Sequence, residues 1–355
     1  MNGRIISSYY INQNNGLPPL ITYILRTAEG KKKITFQSKL YPYCFIGAKN
    51  VPILETVELK MLLAKIGDRI ISCKQVDGII VGDGDTPFKI EVTQPSTIKE
   101  IRQFLKEKDV KIFESDIIYT RRYAIDNDIK NLISVQNNEI VPITETILPQ
   151  ILYADLECKD DGGWDLEKNP IRSIGCSGKE ETFICDAEEN ILRDFTKFIR
   201  DYDYLIFWNG YDFDEPVIKN RCKALNIFID WRLYKFVDAG YYFKLSQQQQ
   251  MPLWNLDYVA TKLLGEGKVD RTVNGRKISI EELYQTRRDL LKEYNMGDVR
   301  KMRQIDEMLL LVQTKQEQAD IAGIEIDKVK PAIFVDVLLL REAFHRTPRL
   351  IFRNS

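Results

Sequence analysis

Three short segments place carboxylates where the surrounding pattern calls for apolar side chains. In Ile151–Cys158 an apolar run ends on Asp155 and Glu157, two residues apart, so that on a strand both point to one face. In the helical pattern around Leu291, Tyr294, Met302, Ile305 and Leu309, Asp298 falls on the apolar stripe, four residues after Tyr294. The segment Trp208 to Pro216 follows an apolar strand directly and carries Asn209, Asp212 and Asp214 into the start of a helix. Strand-end crevices of open α/β sheets are where ligands bind. Asp214 could equally serve as a helix N-cap with Pro216 in the first turn, and Asp212 is its rival for a ligand role. Buried anions of this kind require a cation or a salt-bridge partner, and carboxylate oxygens suit Mg²⁺ or Mn²⁺. Such a set can hold two ions about 3.5–4 Å apart and promote phosphodiester hydrolysis. Tyr294, with an ordinary pKa near 10, would orient a water rather than deprotonate it.

Other chemistry is poorly supplied. A single histidine, His345, excludes multi-histidine zinc sites, and six cysteines without a CxxC pair suggest buried free thiols. The 355 residues carry 51 basic and 52 acidic side chains, so polyanion binding must come from local patches and metal ions. Candidate phosphate contacts are Arg121 and Arg122, Arg271, Arg276 with Lys277, Arg287 and Arg288, and Arg341, Arg346, Arg349 and Arg353. No segment has the length and apolarity of a membrane span or signal peptide, which makes the cytoplasm the expected location and excludes a membrane partner.

The elements that must position these acids fall into two blocks. Short β-branched runs at Arg4–Tyr10, Leu20–Arg26, Lys33–Gln37, Tyr43–Gly47 and Phe88–Val92 predict a β-rich first domain. Within it the turn after Ile79 and Ile80 carries the acids of Gly82 to Asp85, and Thr97 with Glu100 has capping-box spacing for a helix to Lys108. Polar, weakly patterned residues Asp126–Thr146 suggest a boundary, and Gln247–Gln250 a loop. From Ile147, strands Ile151–Cys158, Arg172–Ser177, Glu181–Cys185 and Tyr204–Trp208 alternate with helices. The helices are predicted after Asp186, from Asp214 to Asn226, over Asn255–Leu264, and from a Ser279 and Glu282 cap to about Asp320. This alternation predicts an α/β domain, and α+β architecture overall.

Taken together, Asp155-Leu156-Glu157, then Asn209 to Asp214, then Tyr294-Asn295-Met296-Gly297-Asp298 resemble the three exonuclease motifs of family B DNA polymerases, in order and separation. The resemblance implies an RNase H-like domain over 147–314 with a mixed central sheet flanked by helices. It implies two-metal 3′→5′ exonucleolytic proofreading, with Asp155, Glu157, Asp214 and Asp298 as ligands of Mg²⁺ or Mn²⁺ and Tyr294 assisting the water. Asn209 would contact the substrate strand, and Tyr211, Phe213 and Trp254 could stack on frayed bases. Tyr41 to Phe45 and Glu114 to Tyr123 are similar to the N-terminal domain of archaeal members, where a pocket recognises uracil in template DNA; Pro42, Tyr43, Ile98, Arg102 and Tyr119 fall at matching positions. Ile118 and Tyr119 replace the usual proline and phenylalanine. Residues 1–146 would form that domain, completed by about 315–345, with 346–355 a tail toward a palm domain. The SLYPS-like and YGDTDS-like palm motifs do not occur. Expected partners are single-stranded or primer-template DNA and a polymerase portion (palm, fingers, thumb) on the same or a separate chain. The alternative is a template-binding or docking module of a split polymerase with weak nuclease activity.

Overall fold

The computed structural model describes residues 1–355 except 48–68, 82–83, 138, 161–164, 166–167, 247–250, 274 and 352–355. The Gln247–Gln250 loop and the first half of the Gly82–Asp85 turn therefore lie outside the described residues. The chain divides into two compact units. One comprises 1–27, 32–146 and 320–355; the other comprises 28–31 and 147–319.

The first unit is built on strands β1 (Asn2–Ile11), β2 (Leu20–Thr27), β3 (Gly30–Gln37), β4 (Tyr43–Gly47), β5 (Ile70–Gln75), β6 (Ile79–Val81), β7 (Pro87–Val92), β8 (Ile112–Phe113), β9 (Leu132–Gln136) and β10 (Glu139–Pro142). They form sheets of order β10-β9-β1-β2-β3 and β5-β7-β4-β8, while β6 pairs in parallel with a C-terminal strand, Arg349–Ile351. The segment expected to be a boundary thus supplies β9 and β10. Its apolar residues are few because β10 is an edge strand with mostly solvated side chains, and edge strands tolerate such sequences. The helix Pro95–Glu107 lays Ile98, Ile101 and Leu105 on Cys44, Ile46, Ile90 and Val92. It begins two residues before the Thr97 cap expected from sequence, because Pro95 is pre-set for the first turn and needs no N–H partner there.

Residues 346–351 group with this first unit. Glu114, in the left-handed region at φ 56°, accepts from Arg122 Nη2 at 2.6 Å and Arg349 Nη2 at 2.8 Å, Glu114 and Arg122 being buried and Arg349 partly so. Tyr43 donates to Asp126 at 2.6 Å, and Arg122 lies 3.6 Å from the same carboxylate. Arg341 is likewise spent internally, donating to the Ala322 and Ile129 carbonyls. Arg122, Arg341 and Arg349 are therefore structural cations and not phosphate contacts. Removing one member of a buried charge set leaves the others unpaired. Glu114→Ala is expected to lower stability by about 3–5 kcal/mol, seen as a lower urea midpoint; an unchanged midpoint would show that the network contributes nothing.

In the second unit a mixed sheet has the order β13-β12-β11-β14-β15, from β11 (Ile151–Cys158), β12 (Ile171–Ser177), β13 (Glu181–Ile184), β14 (Tyr204–Phe207) and β15 (Lys235–Asp238). Strands β11, β14 and β15 pair in parallel, β12 is antiparallel to β11, and β13, antiparallel to β12, runs in the direction of β11 again. The expected α/β core is present. Ile191, Leu192, Phe195 and Ile199 pack against Leu152, Ile174 and Leu205, a core in which each large apolar side chain contributes about 1.5–3 kcal/mol. The helix Leu256–Leu264 is capped by Asn255 and stopped at Gly265 (φ 76°), as the sequence predicts. The single helix expected from Ser279 to Asp320 is instead three: Ile280–Thr286, Arg288–Leu309 and Leu311–Ala322. Leu310 at φ 53° makes the second break, and Asp306 caps the next helix by accepting from Val312 N at 2.8 Å.

Candidate metal and strand-binding site

Strand β11 ends at the middle of the sheet, and its Asp155 and Glu157 face the helix Arg288–Leu309. Gly175, paired with Asp155 on β12, makes the approach possible: a Cβ there would lie 3.1 Å from Asn295 Oδ1, Met296 Sδ and Val299 Cγ2. The helix therefore packs directly on the strand backbone. Carboxylate oxygens of Asp155, Glu157 and Asp298 lie within 4.8 Å of one another. Asp214 opens the helix Asp214–Ala224 and is buried, close enough for its charge and that of Asp155 to act on each other. No side-chain cap bond is made at that helix start, so Asp214 is not serving as a cap, and its rival Asp212 is exposed.

The electrostatics are those of an overfull anion site. Burial first, and then the negative charge of Asp298, pushes the Asp155 carboxyl up to about 7, with Lys268 and Asn295 opposing. Glu157 is raised well above the usual carboxylate range by burial and by Asp155, Asp214 by burial and by Asp155, and Asp298 by burial against the pull of Lys268. Lys268 Nζ sits 2.6 Å from Asp298 Oδ2 and 3.5 Å from the Tyr294 hydroxyl. Burial and the Glu157 charge raise Tyr294, which keeps its proton near neutral pH. Among the described residues, Asp214 Oδ1 and Asp298 Oδ1 are buried with no hydrogen-bond partner. Hard acceptor oxygens left unpaired in a partly buried, negatively charged pocket are the donor set that a divalent cation needs, so the residues fit such an ion.

Several contributors had no sequence signal. Asn295 donates to Asp155 Oδ2 at 2.7 Å and to its carbonyl at 3.1 Å, while its own Oδ1 accepts from Ser173 at 3.2 Å. Lys268 lies in the polar stretch after Gly265, where no periodicity marks it. Asn209 (φ 59°) is exposed, and Tyr211 and Phe213 are half-buried against the core, with Tyr211 6.1 Å from the Tyr241 ring. The Trp254 carbonyl accepts from Trp208 Nε1. Arg271, Arg276, Arg287 and Arg346 are each paired with an acid, while Arg353 lies outside the described residues. In the first unit, a cavity of about 160 Å³ is lined by all five positions expected for a template base: Pro42, Tyr43, Ile98, Arg102 and Tyr119. Tyr119 donates to the Leu40 carbonyl at 2.5 Å.

This fold and site define an RNase H-like domain, and a model of the RNase H superfamily matches residues 162–310. The chain is related to the archaeal family B DNA polymerases, of which it corresponds to an exonuclease-type portion. It is 24% identical over 243 residues to the DNA polymerase of Thermococcus kodakarensis and 26% identical over 243 residues to DNA polymerase 1 of Pyrococcus abyssi, in each case 63% of this chain. Those matches span 14% and 29% of the respective relatives. The family B DNA polymerase of Pyrobaculum calidifontis superposes with a TM-score of 0.78 at 18% identity, covering 99% of this chain and 51% of that one. Among the described residues no helix is long and apolar enough to cross a membrane.

The shifted carboxyls carry a stability consequence in metal-free protein. Asp155 titrates near 7 when folded against about 3.9 unfolded. Its contribution is fully present below the unfolded value and is lost as pH rises through the folded one. In EDTA, the melting temperature of Asp155→Asn minus that of wild type is expected to widen from pH ~4 to pH ~7 and to narrow when Mg²⁺ or Mn²⁺ is added. A gap independent of both pH and metal would count against the crowded-anion description.

Proposed function

We propose that the domain over residues 147–314 hydrolyses DNA from its 3′ end, as the proofreading part of a family B polymerase. The observation that carries this is the convergence of Asp155, Glu157 and Asp298 within 4.8 Å, from a strand and a helix distant in sequence. Together with Asp214 they would hold two Mg²⁺ or Mn²⁺ ions. When bound, such ions supply an activated water and charge neutralisation at the leaving 3′ oxygen. The chain's own groups do the rest. Asn295 fixes the orientation of Asp155, and Lys268 stabilises ionised Asp298. Tyr294 holds its proton and positions the water by hydrogen bonding. Asn209, Tyr211 and Phe213 would grip the terminal nucleotides, with stacking worth about 1–3 kcal/mol per base. The natural partners are a single-stranded or frayed primer end and a polymerase portion on the same or a separate chain.

The test is degradation of a 5′-labelled single strand with Mg²⁺ or Mn²⁺, with labelled RNA in parallel. Asp155→Ala/Glu157→Ala is expected to lower the rate at least about 100-fold, since metal-held charge stabilisation is worth several kcal/mol. Tyr294→Phe should cost about tenfold, the loss of one hydrogen bond to the water. Wild type no faster than the double variant refutes the assignment.

A second reading belongs to the first unit, where the cavity lined by Pro42, Tyr43, Ile98, Arg102 and Tyr119 has the size of a single base ring. We propose a template-base pocket there. A strand carrying one uracil should bind more tightly than its thymine counterpart, and Tyr119→Ala should abolish the difference; equal affinities in wild type remove this role.

A further inference from the structure

We infer that Asp238 and Gly240, on the outer strand of the second unit's sheet and the helix after it, are positioning residues that set the strand-gripping loop Trp208–Phe213. This rests on the nuclease reading above and adds the part of the fold that would control substrate affinity. Strands β14 and β15 are parallel neighbours, with Phe207 opposite Asp238, so both chains leave the sheet side by side. The buried Asp238 carboxylate accepts three backbone N–H groups. Oδ1 takes Asn209 N at 3.0 Å and Tyr241 N at 2.9 Å, and Oδ2 takes Tyr211 N at 3.3 Å. A carboxylate needed only to cap the helix Ala239–Ser246 would use the bond to Tyr241 alone. The other two go to the residues on either side of Gly210, where any side chain would collide with Phe207. They hold Asn209 in its left-handed conformation at φ 59°.

Gly240 completes the seat. A Cβ at 240 would lie 2.9 Å from Asn209 Oδ1 and 3.0 Å from Trp208 Nε1, the latter already donating to the Trp254 carbonyl at 2.9 Å. Trp208 is thus pinned, and the Asn209 Oδ1 lies closer to residue 240 than a β-carbon would allow without a shift. Gly240 lies inside a helix, without the positive φ that would demand glycine for conformational reasons. Alanine is favoured over glycine in helices, so the absent methyl is explained by the Asn209 side chain and not by the backbone.

The discriminating variant is Gly240→Ala, measured by thermal unfolding, by anisotropy of a fluorescein-labelled single-stranded oligonucleotide in EDTA, and by steady-state hydrolysis with Mg²⁺. Its melting temperature should fall only slightly, because the helix gain from alanine is offset by the few tenths of an ångström that Trp208 must yield. Oligonucleotide affinity should fall about tenfold, the worth of one well-placed hydrogen bond, and KM should rise by the same factor with kcat within about twofold. In an Asn209→Ala background the same substitution should add nothing. Asp238→Ala should raise KM at least as far with a lower melting temperature, and Asp238→Asn, which keeps one acceptor oxygen, should recover part of the affinity. Unchanged oligonucleotide affinity in Gly240→Ala, or additivity with Asn209→Ala, overturns the inference. A wild type that binds but does not cut overturns only the nuclease reading, because the binding arm is read without metal.

Discussion

Negative charge crowded at a partly buried strand end is the constraint on which the second unit is organised. Two unit charges about 5 Å apart repel by roughly 3 kcal/mol at an effective dielectric near 20, and desolvation adds to that for each carboxylate. Asp155, Glu157 and Asp298 are at about that spacing, with Asp214 near enough to feel Asp155. Among the described residues only Lys268 makes an ion pair with the group, and it does so through Asp298 alone. The penalty is comparable to the gain from burying several large apolar side chains, which is why these acids stand at the end of a strand backed by a dense Ile, Leu and Phe core. The same arrangement in a chain with no use for cations would be relieved by substitution of any one acid.

Convergence at this spacing depends on backbone proximity more than on the acids themselves. The helix Arg288–Leu309 bears Asp298, but it reaches β11 only because residue 175 on the intervening strand has no side chain. Asn295, one turn before Asp298, then bridges the two elements by donating to Asp155 while accepting from Ser173. A larger residue at 175 would move the helix by a few tenths of an ångström. That shift would act on the ligand geometry and on the Asn295 bridge at once, so packing and site chemistry are a single variable here.

The sequence made some of this legible for an identifiable reason. Asp155, Glu157 and Asp298 interrupt apolar patterns of period two and of three to four, and a violated periodicity is visible without a structure. Asp214 is not a violation; it sits where helices start and could be singled out only through its resemblance to a family motif. Caps with side-chain chemistry, at Asn255 and Ser279, were readable. The break at Leu310 was not, since a leucine in the left-handed region gives no compositional warning. Strand β15 has four residues bounded by Lys235 and Asp238, too short for a pattern, and so the Asp238 contacts were invisible. Lys268 and Asn295 act through tertiary placement alone. The α/β alternation survived all of these misses because it is carried by long apolar runs.

The sheet separates two tasks that one loop or one cluster would have to compromise. Its middle strand presents the carboxylates, whose mutual spacing must be rigid to tolerate their repulsion. Its outer strand, through Asp238, governs the neighbouring loop that carries Asn209 and Tyr211. Asp214 joins them, because it follows that loop by one residue beyond Phe213 and begins the helix whose Val217 and Ile218 are buried in the core. Movement of the loop on engaging a strand would therefore be felt at Asp214 before it is felt at Asp155 or Asp298, which are tied to each other's elements through Asn295. In such a layout the first three acids form a fixed frame and the fourth reports the state of the loop. On the proposed reading, ligand geometry and strand occupancy would be coupled through a single peptide segment, Asn209 to Asp214.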